Sequence, residues 1–248
     1  MSSLKGKVAI ITGASKGIGA GIAKRFAAAG ADVVVNYATS KEGADAVVKQ
    51  IKDEGGSALA VQGDVGNAAD VKRLFEETKT AFGKLDILVN NAGTFKFEPL
   101  EAVTEEIFHW QFNTNVLGPI LTIQESVKYF DKDGGSIINI SSIASVNPVL
   151  NSVVYAASKS AVDALTYALA KELGPKKIRV NAIAPGGVET EGTHQAGIMD
   201  GPDKVMAAAT PLGRFGQPDD IARVAVFLAS EDASWVTGER ITVSGGFK

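Results

Sequence analysis

Short runs of β-branched and aliphatic residues recur along the chain, each followed by a stretch with apolar positions three and four apart. Val8–Thr12, Val33–Asn36, Ala58–Val61, Leu85–Val89, Ser136–Ile140 and Ile178–Ala182 are nearly continuously apolar, the pattern of strands covered on both faces. Gly17–Ala29, Gly43–Glu54, Ala69–Phe82 and Val154–Leu173 read as amphipathic helices between them. Gly30, Gly55 and Gly174 stand where C-terminal helix caps are expected. The alternation predicts an α/β protein with a parallel sheet and helices on both faces. No repeat, low-complexity stretch or linker-like shift interrupts it, so residues 1–248 read as one domain. A closed eightfold barrel is the rival architecture at this length, and the first strand–turn–helix argues against it.

That first transition carries the most chemistry. Thr12-Gly13-Ala14-Ser15-Lys16-Gly17-Ile18-Gly19 leaves the first strand and opens the first helix. Small residues let a backbone approach a pyrophosphate, and the helix start supplies free N–H groups and partial positive charge. Such turns also occur without a ligand, and the spacing is G-x-x-x-G-x-G rather than G-x-G-x-x-G. Binders of NAD place a carboxylate at the end of the second strand, against the ribose 2′-hydroxyl. Here that strand runs Val35-Asn36-Tyr37-Ala38-Thr39-Ser40, with no carboxylate to repel a 2′-phosphate. Lys16 adds a cation inside the turn, although a solvated loop lysine is its plainer reading. Amide, hydroxyl and ammonium donors together suit a phosphate, so the segment points to NADP.

Composition narrows the classes further. The chain has 248 residues, 45% hydrophobic and 21% charged, a globular balance. A net charge of −3 gives no basic footprint for nucleic acid or an anionic membrane surface. The absence of cysteine excludes disulfides, thiolate metal sites and a cysteine nucleophile. His109 and His194 are the only histidines, too few for most histidine metal sites, so no metal is expected. The first apolar run, Val8–Ile11, is far shorter than a signal peptide or membrane span, and a cytoplasmic protein is expected.

Tyr155-Ala156-Ala157-Ser158-Lys159 sets a phenol and an ammonium four residues apart on one helix face. A free phenol titrates at about 10 and is a poor proton donor or acceptor at neutral pH. A neighbouring ammonium stabilises the phenolate and draws that value down. Ser142, thirteen residues earlier and next to Ser141, ends a strand where a hydroxyl can bond a substrate carbonyl oxygen. Singly, each has an ordinary reading as an interface aromatic, a surface charge or a turn residue.

Together the motifs are specific. Thr12-Gly13-x-x-x-Gly17-x-Gly19, Asn90-Asn91-Ala92-Gly93, Asn115, Ser142, Tyr155-x-x-x-Lys159 and Pro185-Gly186 occur in the order and spacing of the short-chain dehydrogenases/reductases, which the chain resembles over essentially its whole length. Within that family it looks closest to the branch of 3-oxoacyl-carrier-protein reductases, glucose dehydrogenases and hydroxynaphthalene reductases. The resemblance implies a Rossmann-type doubly wound fold, a seven-stranded parallel sheet of order 3-2-1-4-5-6-7, and assembly as a homotetramer. It implies hydride transfer between NADPH and a small carbonyl or alcohol substrate, with Tyr155 as general acid/base, Ser142 orienting the carbonyl, and Lys159 also holding the nicotinamide ribose. Asn115 matches the asparagine that anchors a relay water. Gly13, Ser15, Lys16, Gly17, Ile18 and Gly19 match the phosphate-binding turn, and Asn36, Tyr37, Ala38 and Ser40 the 2′-phosphate pocket. Asp64 and Val65 match the adenine contacts, Asn91, Ala92 and Gly93 the turn lining the adenosine side, and Pro185, Gly186, Val188 and Thr190 the nicotinamide segment. The stretch Asp232–Phe247 matches the final strand and tail, with Ser244 standing where an aspartate is frequent, which touches only the expected subunit interface.

A same-fold dehydratase or epimerase and a non-catalytic nucleotide sensor are the competing classes, and the intact serine, tyrosine and lysine favour hydride transfer. The segment from Gly187 to Leu212 reads as a polar, Gly-rich lid carrying Glu189, Glu191 and His194, with no basic patch for a phosphopantetheine carrier. Phe95, Phe97 and Trp110 read as core or interface residues before pocket walls.

Overall fold

The computed structural model describes residues 3–195 and 207–247. Seven parallel strands are ordered β3-β2-β1-β4-β5-β6-β7: β1 Val8–Ile11, β2 Asp32–Tyr37, β3 Ser57–Gln62, β4 Ile87–Asn90, β5 Gly135–Ile140, β6 Ile178–Pro185 and β7 Arg240–Val243. Helices α1 Gly17–Ala28, α2 Lys41–Asp53, α3 Ala68–Phe82, α4 Glu105–Phe112, α5 Gly118–Ser126 and α6 Val153–Leu173 cross between them, with a later helix over Pro218–Ala229. The sheet is open, with β3 and β7 as its edges, which excludes the barrel.

Successive residues of a strand point to opposite faces, and both faces are covered. Ala9, Ile11, Val33 and Val35 pack with Ile22 and Phe26 of α1, Val47 of α2 and Ile221 of the Pro218–Ala229 helix. Ile10, Val34, Leu88 and Ile137 pack with Leu74 and Phe75 of α3, Ile123 of α5 and Leu173 of α6. Edge strand β3 alone shows solvated ends, at Ser57 and Gln62.

Gly30 and Gly55 end their helices in the left-handed region, with φ of 97° and 83°. Gly174 does not: it keeps helical angles (φ −53°, ψ −44°) and leads into a tight turn over Gly174–Lys176. Pro175 presets φ for that turn, and the reversal falls on Lys177 at φ 60°.

The Pro218–Ala229 helix packs on α1. At its start Asp220 Oδ2 accepts the Gln217 N–H at 2.7 Å, and the carboxylate takes two bonds from Arg214 at 2.7 and 3.0 Å. The Arg214 bond and the Gln217 N–H hold the Asp220 pKa down to about 2. A carboxylate with a depressed folded pKa stabilises the fold above its unfolded value near 3.8 and loses that contribution as pH falls toward 2. Asp220→Ala is expected to cost about 1 kcal/mol as a lost cap, lowering Tm by about 2–4 °C at neutral pH. Thermal melts should show the gap narrowing below about pH 4; a gap independent of pH would reject the ionic contribution.

Candidate active site

β1 pairs with β2 on one side and β4 on the other, so the crossovers leave it in opposite directions and a crevice opens beyond its C-terminal end. One wall is the glycine turn. Thr12 Oγ1 accepts the Asn91 and Ala92 N–H groups, both at 3.0 Å, and Asn91 Nδ2 donates to the Thr12 and Gly13 carbonyls at 2.9 and 3.0 Å. A Cβ on Gly13 would lie 2.8 Å from Ala92 Cα, and one on Gly19 2.4 Å from Asn91 Nδ2. Only glycine allows the turns after β1 and β4 to close on each other this way.

The start of α1 already binds an anionic oxygen: Gly17 N–H donates to Glu191 Oε2 at 3.0 Å. A free helix start takes a phosphate oxygen for the same reasons, so the turn fits a pyrophosphate. Beside it Ser15, Lys16, Ala38, Thr39 and Ser40 lie at the rim, with Lys16, Ala38, Thr39 and Ser40 exposed. Ser40 precedes α2 with no side-chain capping bond, and a Cβ on Gly43 would sit 2.7 Å from the Ser15 carbonyl and 2.8 Å from Ser40 Oγ.

Asn36 departs from the expectation for the 2′-phosphate pocket. Its Nδ2 donates to the Val61 and Gly63 carbonyls at 3.3 and 3.0 Å, and its Oδ1 accepts the Gly13 N–H at 3.2 Å. Buried at 1% exposure, its amide is a strut joining β2, β3 and the glycine turn. Tyr37 is also buried, whereas Asp64 is exposed above buried Val65; Asp64 Oδ1 accepts the Gly66 N–H at 2.9 Å.

The other wall is built from β5 and α6. Ser142 follows the end of β5, its Oγ accepts the Ala144 N–H at 3.1 Å, and it lines the same cleft as Tyr155. Lys159, 5% exposed, donates from Nζ to the Ile140 carbonyl at 2.8 Å and lies 5.8 Å from the Tyr155 ring centre. Burial pushes the Tyr155 phenol above its ordinary value, and the neighbouring Ser142 hydroxyl pulls it part of the way back. Burial sets the direction, and the lowering expected from Lys159 does not occur. Lys159 is itself lowered to about 8 by burial, against the opposing charge of Asp163.

Asn115 sits in a π-helical turn, Asn113–Leu117, joining α4 to α5, a deformation common at functional sites. Its Nδ2 donates to the Thr94 carbonyl at 2.8 Å and Ser158 Oγ at 3.0 Å, and its Oδ1 accepts the Thr94 N–H at 2.8 Å. With both amide hydrogens engaged, its side chain ties the segment after β4 to α6. Gly93 lies between: a Cβ there would be 3.4 Å from Asn115 Oδ1 and 3.5 Å from Lys159 Nζ.

A cleft of about 190 Å³ gathers Ile18, Asn91, Gly93, Ser142, Tyr155 and Lys159 with Pro185, Gly186, Val188 and Thr190 from the end of β6 and beyond. Phe95 also lines it, and both Phe95 and Phe97 stand edge-on to the Tyr155 ring at 6.1 and 5.8 Å. Phe95 lines the cleft, contrary to the expectation of core or interface packing, and Phe97 stands beside it against Tyr155; Trp110 lies on the outer surface of α4, 49% exposed. His194 contacts Glu189 Oε1 at 3.2 Å outside the cleft, and residues 196–206 of the expected lid lie outside the described residues. A larger cavity of about 820 Å³ lies at the opposite, N-terminal edge of the sheet, beside Lys7, Asp86, Arg179 and Trp235; open sheets of this kind bind ligands at the other end. Among the described residues no cluster of His, Cys, Asp or Glu is placed to hold a metal, and no helix is long and apolar enough to cross a membrane.

Sequence reasoning quoted Thr12 in the turn and Glu191 in the lid without their contacts to Asn91, Ala92 and Gly17, and it did not single out Asp163 or Arg240. Glu191 and Arg240 bond partners far away in the chain, which no local pattern announces.

The chain is similar to known proteins over nearly its whole length. Residues 13–248 match the family described as enoyl-(acyl carrier protein) reductase. The chain is 55% identical to an uncharacterized oxidoreductase of Methylorubrum extorquens, covering 100% of both chains. It is 43% identical to a hydroxynaphthalene reductase-like protein of Metarhizium brunneum, covering 98% of this chain and 96% of the relative. A short-chain dehydrogenase/reductase from Serratia marcescens superposes with a TM-score of 0.92 at 38% identity, covering 98% of both chains. The angucycline C-6 ketoreductase LanV with bound NADP superposes with a TM-score of 0.92 at 38% identity, covering 99% of this chain and 97% of that one.

Proposed function

The chain belongs to the short-chain dehydrogenase/reductase family of oxidoreductases, and we propose that it is an NADPH-dependent carbonyl reductase with Tyr155 as its proton donor. The observation that carries this reading is the meeting of Ser142, Tyr155 and Lys159 with the glycine turn in one cleft. A nicotinamide dinucleotide supplies the hydride when bound. Gly13, Gly17, Ile18 and Gly19 would hold its pyrophosphate once Glu191 leaves the Gly17 N–H, and Ser15, Lys16, Ala38 and Ser40 its 2′-phosphate. Asp64, Val65, Asn91 and Ala92 would line the adenosine, and Pro185, Gly186, Val188, Thr190 and Lys159 the nicotinamide end.

Tyr155 Oη donates its proton to the substrate oxygen as negative charge develops there, and Ser142 Oγ orients that oxygen. Two hydroxyls aimed at one oxygen suit C=O better than C=C reduction. Burial keeps the phenol protonated at neutral pH, the form needed for reduction. Lys159 is an ammonium below about 8 and stabilises the phenolate left behind. Asn115 acts by holding the Thr94 segment.

Phe95, backed by Phe97, gives the cleft an apolar aromatic wall, which favours an aromatic ketone or a quinone over a carrier-bound acyl chain. Hydroxynaphthalene reductase-like and angucycline ketoreductase relatives are consistent with that class. The test is the loss of reduced-nicotinamide absorbance with a panel of aromatic ketones, quinones and 3-oxoacyl thioesters. No consumption of NADPH or NADH with any of them would reject the reading.

Association is inferred on separate grounds. Phe108, Trp110, Leu117 and Ile120 of the α4–α5 segment and Val153 and Tyr167 of α6 are exposed apolar residues, a surface that marks an interface. A homotetramer is expected in light scattering at micromolar concentration; a monomer would contradict it.

A further inference from the structure

A buried ion pair lies behind Ser142 and Lys159. Arg240 opens β7, and its Nε donates to Asp163 Oδ2 on α6 at 2.9 Å, with the two side chains 11% and 10% exposed. Its Nη2 donates to the Ser142 carbonyl at 3.0 Å and to Ser145 Oγ at 3.1 Å, and its Nη1 to Thr242 Oγ1 at 2.9 Å. The guanidinium thus grips the turn that carries Ser142 from the side away from the cleft. Asp163 stands one helical turn beyond Lys159, and its Oδ1 is buried without a hydrogen-bond partner. A buried, half-satisfied carboxylate is costly, and an ammonium on the same helix face compensates it through space.

We propose that Arg240 and Asp163 are positioning residues for the reaction: Arg240 fixes the backbone that presents Ser142, and Asp163 supplies the counter-charge that keeps Lys159 an ammonium beside Tyr155. The proposal rests on the roles of Ser142, Tyr155 and Lys159 given above. Burial alone drives Lys159 toward the neutral amine, and the Asp163 charge is what opposes it. The charged and titratable groups around Lys159 are Asp163 and Tyr155 on its own helix and Arg240 on β7. The end of β5 contributes only the neutral Ile140 carbonyl and the hydroxyls of Ser141 and Ser142, and the segments after β4 and α4 contribute Gly93 and Asn115.

This arrangement fixes opposite signs for two variants. Asp163→Asn removes the counter-charge and leaves Arg240 positive, so Lys159 should lose its proton at lower pH. Arg240→Met removes the competing positive charge and leaves Asp163 facing Lys159 alone, so Lys159 should hold its proton to higher pH. A purely structural pair would perturb both variants alike.

The experiment titrates ε-¹³C-lysine-labelled, cofactor-free protein by NMR, with the Lys159 resonance identified by its absence in Lys159→Met. The parent midpoint is expected near 8, displaced by about one pH unit downward in Asp163→Asn and upward in Arg240→Met. In turnover, Arg240→Met should lower kcat about tenfold with KM for NADPH little changed, Arg240→Lys should recover part of it, and Asp163→Asn should move the alkaline limb to lower pH. Lys159 midpoints that coincide, or that move in one direction in both variants, would overturn the proposal. If Arg240→Met does not fold, Asp163→Asn decides alone by a downward shift or its absence. If no carbonyl is reduced, the assigned function fails, while the NMR titration still decides whether Asp163 controls the Lys159 charge.

Discussion

Tyr155→Phe is expected to lower the turnover rate by about 10²–10⁴-fold, the contribution of a positioned general acid, while leaving fold and dinucleotide affinity nearly unchanged. The substitution removes one oxygen and keeps the ring that stands against Phe95 and Phe97. Ser142 Oγ retains the Ala144 N–H as a partner, so no buried hydroxyl is orphaned and the stability change should stay within about 1 kcal/mol. What disappears is the proton that neutralises the developing alkoxide. Ser142→Ala should fall in the same direction, because the oxygen then loses its orienting donor. Steady-state rates with the best carbonyl of the panel, beside dinucleotide titrations of both proteins, separate chemistry from binding. If Tyr155→Phe kept more than about a tenth of the parent rate, water or another side chain would be the proton donor and general acid catalysis by this phenol would have to be abandoned.

The sheet is legible in the sequence because its inner strands are buried on both faces: Ile10 and Ile11 point into different cores, so the run of β1 carries no polar residue. The site is legible as far as it is local, in the glycine turn after β1 and the Tyr155–Lys159 spacing on α6. Contacts between distant segments are not. Arg240 meets the Ser142 carbonyl across 98 positions, and Glu191 meets Gly17 across 174, and nothing near either residue announces its partner. Direction of a side chain is the other gap. Asn36 occupies the position expected of a phosphate ligand, but it lies on the same pleat face as Val34, and its amide turns inward to Val61 and Gly63. The Tyr155–Lys159 spacing suggests a lowered phenol, whereas burial, which spacing cannot report, raises it.

The same directional detail selects the residue for the second large effect. Ala38→Asp is expected to invert cofactor preference, from NADPH bound at least about tenfold more tightly than NADH to the reverse, a swing of about 100-fold or 2.7 kcal/mol. Ala38 follows the last residue of β2 and is exposed, with its carbonyl accepting Gln62 Nε2 at 3.1 Å, so a longer side chain there projects into solvent and leaves the sheet intact. A carboxylate at that rim repels a 2′-phosphate beside Ser15, Lys16 and Ser40, and it accepts a hydrogen bond from a ribose 2′-hydroxyl instead. Tyr37 is the less informative target, because at 8% exposure an aspartate there would be buried and would report on folding as much as on charge. Fluorescence or calorimetric titration of parent and variant with both dinucleotides reads the ratio directly, with no substrate required. Equal affinities in the parent would refute the NADP assignment. A variant that weakened both cofactors alike would show that Ala38 does not face the ribose at all.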